Sequence, residues 1–296
     1  MTPAIRPTLL GCHPGGDGDV VVMGFPFDHG TVHHLGSHAA PSALRACSVD
    51  LSLRDAPLWD AAEDRELCGN ASVSDLGDIA YRVETPRHEY LARLETVAAR
   101  VAATGKRPLS LGGDHLITLP LVRGLLAVHE ELQLVHVDAH ADYAAIRGSE
   151  LPTHATFVAH LLASPGVRRV VQVGVRGVLP KKRVLPERIR PASVSTLAES
   201  LLPGVPVYLT IDTDAFDPSI APGVGYPVPG GLQWADLAKL LAILERHDAP
   251  VVGADWVEYN PEHDTRNRVT AIGVITGLAR VNHLLGAHVA RFRKAD

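Results

Sequence analysis

The feature that most constrains the fold of this chain is the alternation of short apolar runs with longer amphipathic ones. Six short runs predict β-strands, over residues 19–25, 108–111, 132–137, 168–175, 205–211 and 250–255. Between them, apolar residues at helical spacing predict helices over 86–104, 118–130, 155–163, 235–247 and 268–286. The strands are apolar on both faces, which is typical of a sheet covered on both sides. The sequence therefore predicts an α/β fold with a central parallel sheet and helices on both faces.

Length and composition indicate a single domain. A chain of 296 residues with 46% hydrophobic residues can bury a large core. Because no repeat, low-complexity tract or long linker divides the sequence, we expect one domain over 1–296. The net charge is −5 and Lys and Arg are scattered, apart from the run 181–183, which is typical of a solvated turn. The composition argues against a nucleic-acid partner.

The sequence also predicts a soluble, cytoplasmic protein. No segment reaches the length of about 18 apolar residues that a membrane span needs, and the N-terminal residues lack the apolar core of a signal peptide. Cys12, Cys47 and Cys68 form no C-x-x-C pair and no even set, so we expect small buried apolar residues. This cysteine usage fits a reducing compartment, with no membrane partner.

Acidic and imidazole side chains follow four of the predicted strands, where ligands bind to parallel sheets. The motifs supply Asp114 and His115, then Asp138, His140 and Asp142, then Asp212, Asp214 and Asp217, then Asp255 and Glu258. One Asp after a strand is usually a helix N-cap, and one buried His is usually a core residue. Several buried carboxylates, however, raise one another's pKa and are costly without a cation. Since Arg147 is the only Arg or Lys beside these motifs, a metal is the natural countercharge.

The spacing of these residues suits two metal ions. Side chains at alternate positions of an extended segment face one way, so Asp138, His140 and Asp142 can meet at one point. Asp212 and Asp214 can do the same, and with His115 the set supplies about six ligands, too many for one tetrahedral ion. Carboxylate and imidazole ligands without thiolate favour Mn²⁺, with Fe, Co or Ni as alternatives. Two such ions roughly 3.5–4 Å apart make a water nucleophilic at neutral pH.

Five motifs in one order carry a resemblance to a known family. "GGDH", "DAHAD", "DTDAFDP", "APGVGYPVPGG" and "VEYNP" resemble the ureohydrolase family of arginase, agmatinase, guanidinobutyrase and formiminoglutamase. The similarity runs from residue 26 to the C-terminal helix, and "PFDHGTVHHLG" (26–36) is closest to agmatinase-like members. The resemblance implies a three-layer α/β/α arginase-like fold and two Mn²⁺ ions per chain. It also implies a small guanidino or amidine substrate and a homo-oligomer, either a trimer or a hexamer.

The resemblance also implies roles for particular residues. The positions that match the metal ligands are His115, Asp138, His140, Asp142, Asp212 and Asp214. Glu258 matches the acid that holds the guanidinium, through paired charge-assisted hydrogen bonds, and His154 matches a proton-shuttling histidine. Asp142, with one oxygen free of metal, can orient the attacking water and take its proton. The predicted catalytic residues are therefore Asp142, His154 and Glu258.

The expected substrate pocket departs from the family pattern. "VGYP" places Tyr226 where a small hydroxyl residue beside the substrate is common, which predicts a reshaped pocket. The predicted substrate-binding set is Glu258, Asp217, Arg147 and Tyr226, where Arg147 is either a partner for a substrate carboxylate or a solvated loop charge. His29, His33 and His34 are either rim residues or surface residues. Residues 143–157 lack the Ser/Asn-rich element of arginase-like members, so L-arginine is not the favoured substrate.

Three functions remain open at this point. The leading hypothesis is a dimanganese hydrolase that cleaves agmatine or a guanidino acid to urea and an amine. The alternatives on the same scaffold are a formiminoglutamase-type hydrolase, which would release formamide, and the less favoured arginase. The third hypothesis, a catalytically silent member that binds a metabolite or regulates a partner, would be favoured by a lost ligand. All six matched ligand positions are occupied.

Overall fold

The computed structural model describes residues 7–31, 34–49, 58–67, 71–146, 151–178, 184–265 and 267–293. Eleven strands are present in this part of the chain: β1 (His13–Pro14), β2 (Val20–Phe25), β3 (Leu58–Asp60), β4 (Arg65–Leu67), β5 (Val73–Asp78), β6 (Arg107–Gly112), β7 (Leu132–Val137), β8 (Val167–Val173), β9 (Ile189–Ala192), β10 (Val207–Asp212) and β11 (Val251–Val257). Nine of them form one sheet, in the order β1-β5-β2-β6-β11-β10-β7-β8-β9. Every neighbouring pair in this sheet is parallel, as the strand–helix alternation predicts.

Helices cover both faces of the sheet. They are α1 (Ala40–Ser48), α2 (Arg87–Ala103), α3 (Thr118–Leu126), α4 (Phe157–Leu162), α5 (Leu197–Ser200), α6 (Trp234–Arg246) and α7 (Val269–Arg293). One hydrophobic core joins α1, α5, α6 and α7 to one face of the sheet, and a second core joins α2, α3 and α4 to the other. The predicted central parallel sheet between helical layers is confirmed. The short antiparallel hairpin β3–β4 lies outside the main sheet.

Four neighbouring strands at the centre of the sheet bring the predicted motifs to one edge. β6, β11, β10 and β7 lie side by side, and each is followed by one of the acidic or imidazole motifs. The register keeps these strand ends level, because Ile211 pairs with Val137 and Asp212 pairs with Val257. Residues far apart in the chain therefore converge at the carboxyl end of the sheet, where α/β proteins bind ligands.

The six predicted strands and five predicted helices are all present, with shifted ends. α7 extends seven residues beyond the predicted end at 286, and α3 stops at Leu126 instead of 130. Sequence patterning missed α1, α5, β1, β3, β4, β5 and β9. β9 is an edge strand that contains Pro191, a residue that sheets tolerate at edges. Its short, partly exposed pattern carries little of the apolar signal that marks a central strand.

The long helix α7 belongs to the core. By length and composition Val269–Phe292 could cross a membrane, with a hydropathy of 1.3, although the sequence pattern predicted no such segment. In the fold, 67% of its most apolar window is buried, as in the core helix of a soluble protein. Cys47 is buried as expected and Cys12 is half-buried, whereas Cys68 and the run 181–183 lie outside the described residues.

A glycine lets α2 and α3 approach each other closely. A Cβ at Gly124 would lie 2.4 Å from the carbonyl oxygen of Glu95 and 2.8 Å from the Cβ of Ala98. For Gly124→Ala we expect a lower free energy of unfolding, since overpacking costs about 1–3 kcal/mol against about 1 kcal/mol of gained helix propensity. Urea denaturation measures the change. Gly16→Ala is the control, because its Cβ would meet only the end of the Leu76 side chain, at 3.3 Å. Equal stability of the two variants would contradict this packing argument.

Candidate active site

His115 lies at the centre of a cluster of three carboxylates. Its Nδ1 is 3.0 Å from Oδ2 of Asp138, 3.3 Å from Oδ2 of Asp142 and 3.1 Å from Oδ2 of Asp212. His115 follows β6, Asp138 and Asp142 follow β7, and Asp212 ends β10, so three strand ends build this group. The His115 and Asp138 side chains are at most 1% exposed. The arrangement directs four potential ligand atoms at one small volume.

A second group adjoins the first and shares Asp138 with it. The Nδ1 atom of His140 is 2.9 Å from Oδ2 of Asp214 and 3.5 Å from Oδ1 of Asp138. Asp138 thus points one oxygen toward each group, and the potential ligand atoms of Asp138, His140 and Asp214 lie within 4.8 Å of one another. The structure therefore brings together all six predicted metal ligands, as two adjacent groups with a carboxylate between them.

The negative charges of these carboxylates need cations nearby. Burial, followed by the charge of Asp138, raises the pKa of Asp142 well above its usual range and that of Asp214 to about 6. Burial and the charges of Asp214 and Asp138 likewise raise the pKa of Asp212. Buried carboxylates in such contact repel one another unless a positive charge lies among them. The donor set of oxygen and imidazole atoms fits divalent ions such as Mn²⁺.

A chain of hydrogen bonds behind His115 sets which ring nitrogen faces the carboxylates. Nε2 lies 2.8 Å from the hydroxyl oxygen of Thr210, which in turn donates to Oδ1 of Asp255 at 2.6 Å. Because the Thr210 proton is committed to Asp255, Nε2 of His115 carries a proton and donates it to Thr210. Burial alone would lower the pKa of His115, but the hydrogen bonds and charges of Asp138 and Asp212 raise it well above its ordinary value, so a bound metal would replace the proton on Nδ1. Thr118 and Tyr208 also donate to Asp255 and complete its hydrogen bonding.

His136 orients Asp138 and was missed by the sequence analysis. The Gln172 amide nitrogen donates to the carbonyl of Ala141 at 2.8 Å and to Nδ1 of His136 at 3.0 Å. The acceptor at Ala141 fixes the amide, so Nδ1 accepts and Nε2–H of His136 donates to Oδ2 of Asp138 at 2.8 Å. His136 is therefore an orienting residue rather than a ligand. The available signal was a lone polar residue two positions before Asp138 on the same face of a buried strand.

Glu258 and His154 lie beside the carboxylate cluster. Oε1 of Glu258 accepts from the backbone N–H of His115 at 2.9 Å and lies 3.6 Å from Nδ1 of His154. Burial alone would lower the pKa of His154, but the hydrogen bond and charge of Glu258 raise it above its ordinary value. A capping box between Thr153 and Thr156 fixes the turn that carries His154. The three predicted catalytic residues therefore share one site.

Asp142 and Glu258 both adopt left-handed backbone conformations, with φ of 43° and 61°. This conformation is uncommon outside glycine and costs free energy that the surrounding structure must supply. For Glu258 the support includes its N–H, which donates to the carbonyl of Gly113 at 2.8 Å. For Asp142, the carbonyl accepts from the N–H of Val158 at 3.3 Å. Both side chains are thereby aimed into the site.

The remaining predicted residues have different locations. Tyr226 lies at the site, with its ring centroid 5.8 Å from that of His154 and 6.3 Å from that of His140. His34 packs edge-on against Tyr226 at 4.9 Å, whereas His29 packs against Phe27 and Tyr81. Arg147 and His33 lie outside the described residues.

The structure does not bring Asp217 to this group. Its carboxylate accepts from the backbone N–H groups of Ser219, Gly230 and Gly231 at 3.0, 2.7 and 3.1 Å. A hydrogen bond from the Ser219 side chain, together with these backbone N–H groups, lowers the pKa of Asp217 below its ordinary value. The side chain closes its own loop, which is a structural role.

Arg176 holds the loops of the site together through their backbone carbonyls. Its guanidinium donates to the carbonyls of Asp214 and Ala215 at 2.8 and 3.0 Å and to that of Val228 at 3.0 Å. Its backbone N–H donates to the carbonyl of Ala139 at 3.0 Å. Because these donors bind backbone carbonyls, Arg176 fixes the loops after β7 and β10, while its charge also acts on the carboxylates of Asp214, Asp138 and Asp212.

The fold and the site define an α/β protein whose carboxylate and imidazole cluster could hold metal ions. The sequence profile of the arginase family matches residues 18–281, and the chain belongs to that family. It is a hydrolase acting on carbon–nitrogen bonds of guanidino groups.

Similar proteins agree with this assignment. The agmatinase of Neisseria meningitidis serogroup C is 34% identical over 279 residues, covering 91% of this chain and 88% of the relative. Two solved structures superpose closely. A hypothetical agmatinase from Burkholderia thailandensis is 29% identical with a TM-score of 0.82, covering 99% of this chain and 94% of that one. Proclavaminate amidino hydrolase from Streptomyces clavuligerus is 26% identical with a TM-score of 0.83, covering 96% and 98%.

The chain of hydrogen bonds from Asp255 predicts an effect on metal binding. Thr210→Val keeps the shape of the side chain but removes the acceptor for Nε2–H of His115 and one donor to Asp255. We expect metal affinity to fall about 10- to 100-fold, the usual cost of losing a group that orients a ligand. Titration against a competing chelator measures the affinity. Thr210→Ser retains the hydroxyl and should bind metal nearly as well as the unaltered protein. Unchanged affinity in the valine variant would refute the orienting role.

Proposed function

We propose that this protein is a ureohydrolase that uses two Mn²⁺ ions to cleave a small guanidino compound to urea and an amine, with agmatine as the leading candidate. The main support is the convergence of two ligand groups, Glu258 and His154 at one edge of the sheet. Agmatine is favoured because relatives 34% identical over most of the chain carry the name agmatinase. A guanidino acid is the second candidate.

The reaction needs a strong nucleophile, because the positive charge of a guanidinium is spread over three nitrogens and makes its carbon a poor electrophile. Bound metal ions would neutralise the carboxylates and make a water nucleophilic at neutral pH. His115, Asp138, Asp142 and Asp212 would hold one ion, and Asp138, His140 and Asp214 the other. Asp138 is suited to serve both, because its two oxygens face different groups.

Glu258, Asp142 and His154 bind the substrate and transfer protons in the remaining steps. Glu258 holds the planar cation by charge-assisted hydrogen bonds. Asp142 orients the attacking water and accepts its proton as the oxygen bonds to the guanidinium carbon. The bond from that carbon to the alkyl nitrogen then breaks, and His154 donates its proton to the departing amine. The second proton of the water leaves the oxygen as the urea carbonyl forms, Asp142 releases its proton to solvent, and His154 and the free amine each take up a proton from solvent. One water is consumed, and urea and the amine leave.

A panel of guanidino compounds tests this function directly. Protein loaded with Mn²⁺ is incubated with agmatine, 4-guanidinobutyrate, L-arginine and N-formimino-L-glutamate, and urea and formamide are measured. Urea from agmatine or the guanidino acid supports the proposal. Formamide alone would indicate the formiminoglutamase-type alternative, and the absence of both products would favour a catalytically silent member.

Metal content is the next prediction. Saturating Mn²⁺ should give two ions per chain by elemental analysis, since the two ligand groups cannot be served by one ion. Asp138→Asn should lose both metal and activity, because a carboxamide carries no charge to offset the cations. Asp217→Asn is the matched control, because that carboxylate hydrogen-bonds within its own loop. A stoichiometry of one at saturation would reject the two-metal site.

His154 and Glu258 should have separable effects. His154→Ala should retain the metal ions and lose about 10²-fold in kcat, the usual scale for a general acid. Glu258→Gln should raise KM and lower kcat, because the guanidinium loses its countercharge in both the ground state and the transition state. Steady-state kinetics with metal analysis distinguish the two. Metal loss in step with rate in His154→Ala would contradict the shuttle role.

We further propose a single domain over 1–296, a cytoplasmic location and a homo-oligomer, either a trimer or a hexamer. Light scattering of the purified protein measures the oligomer. If the substrate is instead a guanidino acid, we propose that Arg147 pairs with its carboxylate rather than serving as a solvated loop charge. In that case 4-guanidinobutyrate should be the better substrate and Arg147→Ala should impair it selectively.

A further inference from the structure

The Tyr226 side chain stands among the imidazoles of the site. Its ring centroid lies 4.9 Å from His34, 5.8 Å from His154 and 6.3 Å from His140, and it is nearly perpendicular to the first and the last. His34 is exposed, while His154 is only 17% exposed beside Glu258. A half-buried aromatic ring therefore lies between the exposed His34 and the site residues His154 and His140.

The backbone beside Tyr226 is held from several sides. Val224 forms a bridge with Tyr259, next to Glu258, and its carbonyl lies 2.7 Å from Nδ1 of His263. The N–H of Gly223 donates to the Thr270 hydroxyl at 2.9 Å.

The 34–36 segment also restrains the backbone beside Tyr226. The 34–36 segment packs against the same stretch, since a Cβ at Gly225 would lie 3.3 Å from that of His34. Its other end meets Asn260, because a Cβ at Gly36 would lie 2.6 Å from the Asn260 carboxamide oxygen. The N–H of Asn260 in turn donates to the Gly223 carbonyl at 2.8 Å. The backbone that carries the ring is therefore held by contacts on both sides.

We propose that the Tyr226 ring is the wall that limits the width of the substrate beside its guanidino group, so that unbranched guanidino compounds are selected over branched ones. This inference rests on the proposed function. At this position the motif commonly carries a small hydroxyl residue, which would leave open the volume that the ring fills. A methylene chain can lie flat along an aromatic face, whereas a branch at the carbon next to the guanidine collides with it.

Two isomeric substrates provide the test. n-Butylguanidine and sec-butylguanidine have the same composition and differ only in the branch next to the guanidine. The wild-type protein should have the higher kcat/KM for the linear isomer. Tyr226→Thr should reduce this preference by about tenfold or more, since misfit in an apolar pocket changes discrimination about 10- to 200-fold. Tyr226→Phe should retain the preference, because the ring and not the hydroxyl forms the wall.

Two further variants guard against a folding defect. Tyr226→Trp enlarges the ring and should increase the preference for the linear isomer. Trp59→Thr, an aromatic-to-threonine change at a 61% exposed position of the β3–β4 hairpin, should leave it unaltered. Metal content and circular dichroism confirm that each variant is folded.

The outcomes separate this inference from the proposed function. Urea from agmatine with a preference that stays within about twofold in Tyr226→Thr and Tyr226→Trp would overturn the wall alone. No urea from any guanidino compound with wild-type protein would overturn the proposed function itself. A loss of preference in Tyr226→Phe equal to that in Tyr226→Thr would assign selectivity to the hydroxyl and also refute the wall.

Discussion

Mutual repulsion among four buried carboxylates is the constraint on which the rest of the site depends. Asp138, Asp142, Asp212 and Asp214 are held by strand ends that the central parallel register keeps level. Their separation is too small for each to ionise freely in a medium with little water, so the groups around them must fix positions that repulsion would otherwise spread. The sheet provides this rigidity because its central strands are buried on both faces.

Around the carboxylates, neighbouring residues fix the protonation and the orientation of the side chains in the site. Asp255 acts through Thr210 to set the proton on His115, and Gln172 acts through His136 to aim Asp138. A fixed positive charge paired with these carboxylates would compete with metal ions for them. Support from neutral groups and backbone carbonyls instead maintains the geometry and leaves the negative charge available.

The sequence predicted the central architecture because central strands of a parallel sheet carry long apolar runs, and the motifs followed them directly. It could not predict strand order, which arises from packing between distant segments, so the adjacency of β6, β11, β10 and β7 came only from the structure. The orienting roles of Gln172 and Thr210 were invisible for the same reason: a polar residue in a strand has no local signature of its partner. Asp217 is the opposite case, because it belongs to a site motif while its carboxylate hydrogen-bonds within its own loop.

The level strand ends have a further consequence for how the protein reaches its functional state. His115 and Asp214 are separated by nearly the length of a small domain in the chain, yet both belong to one cluster. Such nonlocal contacts form only after slow loop closure, so the ligand groups do not exist in a partly assembled sheet. A cation that binds only the finished arrangement then stabilises it by mass action. Metal supply in the cell would thus influence how long the polypeptide survives proteolysis as well as its catalytic rate.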